Sequence, residues 1–316
     1  MKWGRIYLLA LMFLAALACP VGMCGQVSAP QAAGTVTYWI TATNQGHLVT
    51  DLKKEDLQLW IGKQEQSISD FTFNPPEPLQ VGLLFDTSGS LRDRWPGPEI
   101  SLASGFLTGV LRPGDQAAIM HFEELLSFDT HLTGDLSALD QGLRHLAAVA
   151  PHEGTALYDA IEGACEQLEV GGPAHRALVV ITDGGENASL HRLDQAMTVV
   201  GRTGTQLYFI GRLRGREKQT MWEHRYMKVL RSLADATGGQ LFLASNKLET
   251  ESGFNSIAKV LRAQYALEFQ SAGVSPSKKG NRIKIQCSRP GVEILAPERG
   301  FYLRVEATGM RSFDIR

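Results

Sequence analysis

Five oxygen-bearing side chains, carried by three short segments, have the types and spacing of a metal site. Asp86, Ser88 and Ser90 occupy alternate positions of one loop, Thr155 follows a glycine, and Asp183 ends an apolar run. Alternate side chains of a tight loop can converge on one point, and these residues offer two carboxylates and three hydroxyls. Hard oxygen donors of this kind suit Mg²⁺, with Ca²⁺ or Mn²⁺ as alternatives, and not zinc or copper.

The balance of charge in this set predicts binding chemistry. Two carboxylates leave little excess negative charge around a divalent ion, and neutral hydroxyls keep the ion electron-poor. We therefore expect an open coordination position that attracts a carboxylate from a protein partner.

The elements that must position these residues follow an alternating pattern. Residues 79–85 and 177–182 are near-continuous apolar runs, each followed by aspartate, as in strands covered on both faces. Further strands are predicted over 116–122, 125–128, 206–210 and 241–243. Helical spacing of apolar residues is seen over 100–111, 157–168, 190–200, 222–236 and 254–261. The pattern predicts an α/β fold with a doubly wound, mostly parallel sheet, which binds ligands at the carboxyl ends of its strands.

The two flanks of this α/β segment have a β pattern instead. Apolar residues alternate over 34–73 and again after residue 264, through Phe301 and Leu303, and a proline-rich break covers residues 74–78. Neither flank is long enough to bury its own face. We predict a signal peptide at 1–25, a β segment at 26–77, an α/β domain at 78–262 and a β segment at 263–316. The two β segments are expected to pack together as one small β-rich unit.

The first residues resemble an export signal. Lys2 and Arg5 precede an apolar run over residues 6–18, and small residues follow, so cleavage is expected between Ala18 and Gln26. The protein is therefore expected to be exported, to the periplasm, the cell surface or the medium. Contact with a membrane would come only from an uncleaved anchor or from a lipid on Cys19.

Composition narrows the possible partners. With 31 Lys and Arg against 33 Asp and Glu, the chain has no broad basic field, so nucleic acid is not an expected partner. A short basic run, made of Arg212, Arg214, Arg216 and Lys218, is interpreted as a solvated loop. Beyond the signal segment, Cys165 and Cys287 are interpreted as buried free thiols, although export would permit a disulfide.

The three loop segments together resemble the metal-ion-dependent adhesion site of von Willebrand factor A (VWA) domains. The matching segments read Asp-Thr-Ser-Gly-Ser at 86–90, Gly-Thr-Ala-Leu-Tyr-Asp-Ala at 154–160 and Ile-Thr-Asp-Gly at 181–184. The resemblance implies that Ser88 and Ser90 bind the metal directly and that Thr155 does so when a ligand is bound. It implies direct or water-mediated contacts for Asp86 and Asp183.

The flanks extend this resemblance. Residues 54–60, 62–63 and 68–71 at one end, and 264–269 and 300–302 at the other, are similar to exported bacterial proteins of the VWFA-related Acidobacterial domain family. The sequence therefore favours an exported, non-enzymatic adhesion module that captures an acidic side chain. Two alternatives remain open: a metal-independent assembly platform of the cell envelope, and a metal-dependent hydrolase with His152 as the nearest candidate base.

Overall fold

The computed structural model describes residues 34–94, 97–172, 174–214, 220–271, 274–275 and 277–300. The signal segment, Cys19, Arg216, Lys218 and the strand expected over residues 301–303 lie outside these ranges. The strands, in chain order, are β1 (Thr35–Asn44), β2 (His47–Leu48), β3 (Leu57–Ile61), β4 (Gln64–Gln66), β5 (Ile68–Phe73), β6 (Leu79–Asp86), β7 (Gln116–Phe122), β8 (Leu126–Thr133), β9 (His175–Thr182), β10 (Gln206–Arg212), β11 (Leu241–Ala244), β12 (Tyr265–Gln270), β13 (Asn281–Cys287), β14 (Val292–Leu295) and β15 (Arg299–Gly300). The α-helices are α1 (Pro98–Val110), α2 (Leu136–Ala147), α3 (Leu157–Val170), α4 (Leu193–Thr203), α5 (Met221–Ala236) and α6 (Lys247–Leu261).

A six-stranded sheet with the order β11-β10-β9-β6-β7-β8 forms the centre of the α/β region. Neighbouring strands from β11 to β7 are parallel, whereas the edge strand β8 runs antiparallel to β7. The chain moves outward from β6 through β7 and β8, then returns to β9 on the other side of β6. The strand order therefore reverses between β6 and β9, which is where sheets of this kind bind ligands. The predicted α/β class is confirmed.

Helices cover both faces of this sheet because its central strands carry apolar residues on both sides. Leu83 belongs to a core shared with α1, α2 and α6, while its neighbour Leu84 belongs to a second core shared with α3, α4 and α5. All eight residues of β6 are buried as a result. Within the described ranges, no helix combines the length and the apolar character needed to cross a membrane.

The strands of the two flanks pair with each other and form two antiparallel sheets. β1 pairs with β12 from Thr35↔Gln270 to Ile40↔Tyr265, and β3 pairs with β13. Ile40, Leu59 and Leu267 meet in a third apolar core, separate from those of the α/β region. The domain boundaries drawn from the sequence stay a prediction, but strands from both ends of the described chain contribute to this core.

Three details of the α/β region differ from the sequence pattern. α2 was not expected, although Leu139, Leu143 and Leu146 fill its buried side. β8 extends to Thr133, well beyond the predicted 125–128. The helix expected from residue 190 begins only at Leu193. The Asp159 carboxylate accepts the backbone N–H groups of residues 190 and 191, at 2.7 and 2.9 Å, and so holds that segment as a loop.

The interpretation of the basic run as a solvated loop is wrong for Arg212. This residue ends β10, is 5% exposed, and its Nε lies 2.6 Å from Oε1 of the buried Glu99. A buried arginine needs such a partner because desolvation of an unpaired charge is costly. Both thiols are free, but only Cys165 is buried, whereas Cys287 is half-buried at the end of β13.

A buried polar junction joins the flanking β unit to the amino ends of the parallel strands. Trp39 of β1 stacks on the His175 ring at 4.2 Å, and its carbonyl accepts a hydrogen bond from the Gln206 side chain at 3.1 Å. His175 Nε2 lies 2.9 Å from Gln206 Oε1, which also accepts from Gln264 Nε2 at 3.0 Å. Burial is the main cause that lowers the pKa of His175, to about 4, although the Gln206 contact opposes it.

This junction makes the stability of the fold sensitive to acid. Between pH 6.5 and 4 the unfolded chain protonates this histidine while the folded chain keeps it neutral, so stability is present above pH 6.5 and is lost as the pH falls. A drop in pKa from 6.5 to about 4 corresponds to a loss of about 3 kcal/mol. Urea denaturation across this pH range should show a shallower pH dependence for His175→Gln than for the wild type. His47→Gln, at an exposed position, is the control, and equal slopes for all three proteins would contradict the assignment.

Candidate metal-binding site

Asp86 and Asp183 lie close together because Asp86 ends β6 and Asp183 follows β9, its parallel neighbour. β6 and β9 are in register from Leu79↔His175 to Phe85↔Ile181, so both strands end at the same edge of the sheet. The backbone then turns at Gly184, which has a φ of 81°. A Cβ at this glycine would lie 2.8 Å from the Tyr226 Cβ, so both the backbone angle and the packing of α5 require glycine.

Hydrogen bonds connect four of the five predicted site residues. Ser88 N donates to Asp86 Oδ1 at 2.9 Å, and the Ser88 and Ser90 hydroxyl oxygens lie 3.2 Å apart. The Ser90 hydroxyl donates to Asp183 Oδ2 at 2.8 Å. On the other side, the buried Thr182 hydroxyl donates to Asp86 Oδ2 at 2.6 Å. The loop at 86–90 and the end of β9 are therefore held together by their own oxygen-bearing side chains.

The fifth residue, Thr155, is positioned by the loop after β9. Its N–H donates to Asn187 Oδ1 at 2.9 Å, and its carbonyl accepts from Asn187 N at 3.0 Å. A Cβ built on Gly185 would lie 3.3 Å from Asp183 Oδ1 and 3.7 Å from the Thr155 hydroxyl oxygen. Both oxygens thus face one small space that the absence of a side chain at Gly185 leaves open.

The electrostatics of the site favour a cation. Burial and, second, the charge of Asp183 raise the pKa of Asp86 to about 6, against the lowering effect of hydrogen bonds from Ser88 and Thr182. Two close carboxylates, 1% and 9% exposed, destabilise each other unless a positive charge lies between them. The donor set, carboxylates and hydroxyls around an open space, fits a hard divalent ion.

The candidate site is not built from the histidine, cysteine and carboxylate clusters that hold many protein metals. Within the part of the chain that the structure describes, no group of three or more His, Cys, Asp and Glu residues is placed to hold a metal ion. The candidate site differs from such a cluster because three of its five donors are hydroxyls.

The site opens into a cleft of about 440 Å³. Its lining combines the predicted Ser90, Thr155 and Asp183 with residues of the loop after β9 and of the start of α5. Sequence reasoning missed Thr182, Asn187 and Glu186. Thr182 could have been found from its position next to Asp183, whereas nothing local in the sequence connects Asn187 with Thr155.

The candidate base of the hydrolase alternative is not buried in this cleft. His152 is exposed, and its backbone N–H donates to the Thr87 carbonyl at 3.3 Å. The backbone contact places its loop beside the loop at 86–90. Among the described residues that line the cleft, none is a histidine, cysteine or lysine.

Together, the reversed strand order and the oxygen-rich edge define an α/β protein with a candidate cation site at its strand ends. No family model matches the chain, and no curated protein does, so membership of the VWFA-related Acidobacterial domain family stays a prediction.

Solved structures similar to this chain include a conserved hypothetical protein, BatB, from Bacteroides thetaiotaomicron, with 18% identity, a TM-score of 0.46 and coverage of 58% of this chain and 100% of that one. The vWF domain of the type V pili tip protein Mfa5 from Porphyromonas gingivalis has 12% identity, a TM-score of 0.45 and coverage of 58% and 95%. The pilus adhesin SpaC from Lactobacillus rhamnosus GG has 11% identity, a TM-score of 0.49 and coverage of 77% and 47%. At these sequence identities and TM-scores, the structural similarities carry no information about the function of this chain.

Neutralising Asp86 should increase the stability of the metal-free protein and abolish metal binding. At pH 7.5 without metal, Asp86→Asn should raise the free energy of unfolding by about 1–3 kcal/mol, because it removes a buried charge whose pKa is raised. The same variant should lose Mg²⁺ binding. Chemical denaturation and calorimetric titration measure the two effects. A variant that is less stable than the wild type without metal would show that the hydrogen bonds from Ser88 and Thr182 outweigh the cost of burying the Asp86 charge beside Asp183.

Filling the open space should weaken metal binding with little effect on the fold. Gly185→Ala places a methyl group 3.3 Å from Asp183 Oδ1 and 3.7 Å from the Thr155 hydroxyl oxygen, and Mg²⁺ affinity measured by calorimetry should fall at least about tenfold. Gly105→Ala is the matched control, since a Cβ at Gly105 would meet no atom within 4 Å. Equal Mg²⁺ affinity of both variants would mean that the space beside Gly185 is not part of the site.

Proposed function

We propose that this chain is an exported, non-enzymatic protein-binding module of the VWA type, which holds a divalent cation, Mg²⁺ by preference, and captures an acidic side chain of a partner. Asp86, Ser88, Ser90, Thr155 and Asp183 would hold the ion. The observation that carries the proposal is the convergence of two buried carboxylates and hydrogen-bonded hydroxyls at a point where Ser90, Thr155 and Asp183 line an open cleft. Export rests on the pattern of residues 1–25.

The open side of the site supports a ligand from outside. Asp86 and Ser88 are 1% exposed, whereas Ser90 reaches the surface and lines the cleft with Thr155 and Asp183. When bound, the ion would act as a Lewis acid that accepts an oxygen of an external carboxylate. The chain's own groups orient the donors: Thr182 fixes the Asp86 carboxylate, and Asn187 fixes the backbone of Thr155.

The acids around the cleft favour binding over hydrolysis. Glu186 accepts the Ser189 hydroxyl at 2.7 Å and the N–H of Tyr158 at 3.2 Å, while Glu223 accepts the N–H of Thr220 at 2.7 Å. These hydrogen bonds already engage both carboxylates with the backbone, which leaves them less free to take a proton from a water molecule. The residues around the cleft are therefore suited to hold a ligand rather than to activate water.

The experiment is capture of partners from the native envelope fraction with the mature chain as bait. The partner should be retained in Mg²⁺ and released by EDTA, and it should be absent with Asp86→Ala and Asp183→Ala. Both variants should also lose Mg²⁺ binding in calorimetry while keeping the far-UV circular dichroism of the wild type. Asp194→Ala, at a side chain 76% exposed on α4, is the control and should behave as the wild type.

Other outcomes identify the alternatives. Retention of the same partner in EDTA and by both site variants would favour a metal-independent assembly platform. Turnover of a phosphoester or peptide substrate that requires Mg²⁺ and Asp183 would favour a hydrolase. Either result would refute the proposed function.

A further inference from the structure

One wall of the cleft is an aromatic surface next to the candidate metal site. Trp222 and Tyr226 lie one helical turn apart on α5, and both line the cleft with Asp183. The Trp222 side chain is 61% exposed. Tyr226 is fixed against the turn after Asp183, because its Cβ lies 2.8 Å from the position that a Cβ on Gly184 would take. The part of α5 that carries both rings therefore packs directly against the turn after Asp183.

The same wall carries positive charge. The Arg214 side chain lines the cleft, is 60% exposed, and its Nε lies 4.0 Å from Glu223 Oε1, a separation at which a surface ion pair contributes little. The Glu223 carboxylate is already engaged by the backbone of Thr220. The guanidinium of Arg225 lies 6.0 Å from the centre of the Trp222 ring, within the range of a cation–π contact.

The opposite side of the site is acidic. Glu123 accepts the Thr87 hydroxyl at 2.8 Å, and Glu153, whose side chain is 83% exposed, pairs with Arg92 at 3.1 Å. Glu124 lies against Gly154, immediately before Thr155. An acidic ligand is therefore repelled from the side of residues 123–124 and 153, and Arg214 is the basic side chain that the described lining of the cleft offers it, beside Glu186 and the backbone-bonded Glu223.

On the basis of the proposed function, we propose that the partner is an acidic protein segment with three anchoring groups. One carboxylate binds the metal, an adjacent apolar or aromatic side chain packs on Trp222, and a second carboxylate pairs with Arg214. Arg214 presents a planar set of donors that matches a carboxylate, and an exposed tryptophan is a frequent centre of binding energy at interfaces. A single acid thus gives attachment, and the second acid with its apolar neighbour gives specificity.

The test uses fluorescein-labelled tripeptide amides and the mature chain in Mg²⁺, with affinity read by fluorescence polarisation. The sequences are Asp-Phe-Glu, Asp-Phe-Gln and Asp-Ala-Glu, each also with one alanine inserted before the last residue to vary the spacing. In at least one spacing, the wild type should prefer Asp-Phe-Glu over the Gln peptide by about threefold to fivefold. The wild type should prefer Asp-Phe-Glu over Asp-Ala-Glu by about tenfold.

Single variants separate the two contacts. Arg214→Ala should remove the preference for Glu over Gln and leave the preference for Phe over Ala. Trp222→Ala should remove the preference for Phe over Ala and leave the preference for Glu over Gln. Met221→Ala is the matched control, since Met221 is 84% exposed beside Trp222 but does not line the cleft. Equal binding of all peptides, no peptide binding, or the same losses in Met221→Ala would overturn the proposal.

Calorimetric titration with Mg²⁺ alone keeps the two proposals apart. If Mg²⁺ binds but the peptides are not discriminated, the assignment of the α5 wall is wrong and the proposed function stands. If Mg²⁺ does not bind, the proposed function fails and this inference fails with it.

Discussion

The burial of two carboxylates at the ends of adjacent parallel strands is the constraint on which the site depends. β6 and β9 are hydrogen-bonded neighbours buried on both faces, so their ends cannot move apart without loss of the central sheet. The fold therefore holds Asp86 and Asp183 close together whatever the state of the site. Hydrogen bonds donated by the Thr182 and Ser90 hydroxyls reduce the free-energy cost of burying the two carboxylates but do not remove it. A carboxyl group whose pKa is raised by burial and by a close charge is typical of functional sites.

Much of the α/β region could be predicted because its signals are local. The apolar runs that become β6 and β9 are continuous, and each is followed by aspartate, which predicts both their burial and the edge where the site lies. The contacts that complete the site are not local. Asn187 supports Thr155 from 32 positions away, and α5 contributes Tyr226 beside Gly184. No pattern of residue types encodes such contacts in one sequence, and the identity of the five metal ligands stays a prediction.

Where the sequence pattern failed, a tertiary contact competed with it. Leu190 continues the helical spacing of α4, yet the Asp159 carboxylate holds its backbone in a loop and the side chain is 91% exposed. Arg212 begins a basic run whose composition is typical of a surface loop, yet this residue ends a central strand and pairs with a glutamate of α1. The partner of each lies far away in the chain, so neither result follows from neighbouring residues.

The junction around His175 determines which edge of the parallel sheet the flanking β unit covers. β1 contacts the amino ends of the parallel strands through Trp39, whereas the oxygen-rich loops lie at their carboxyl ends. An eight-residue strand separates the two edges by roughly 26 Å. The flanking β unit therefore contacts the edge of the sheet opposite to the one that carries the candidate metal site and its cleft.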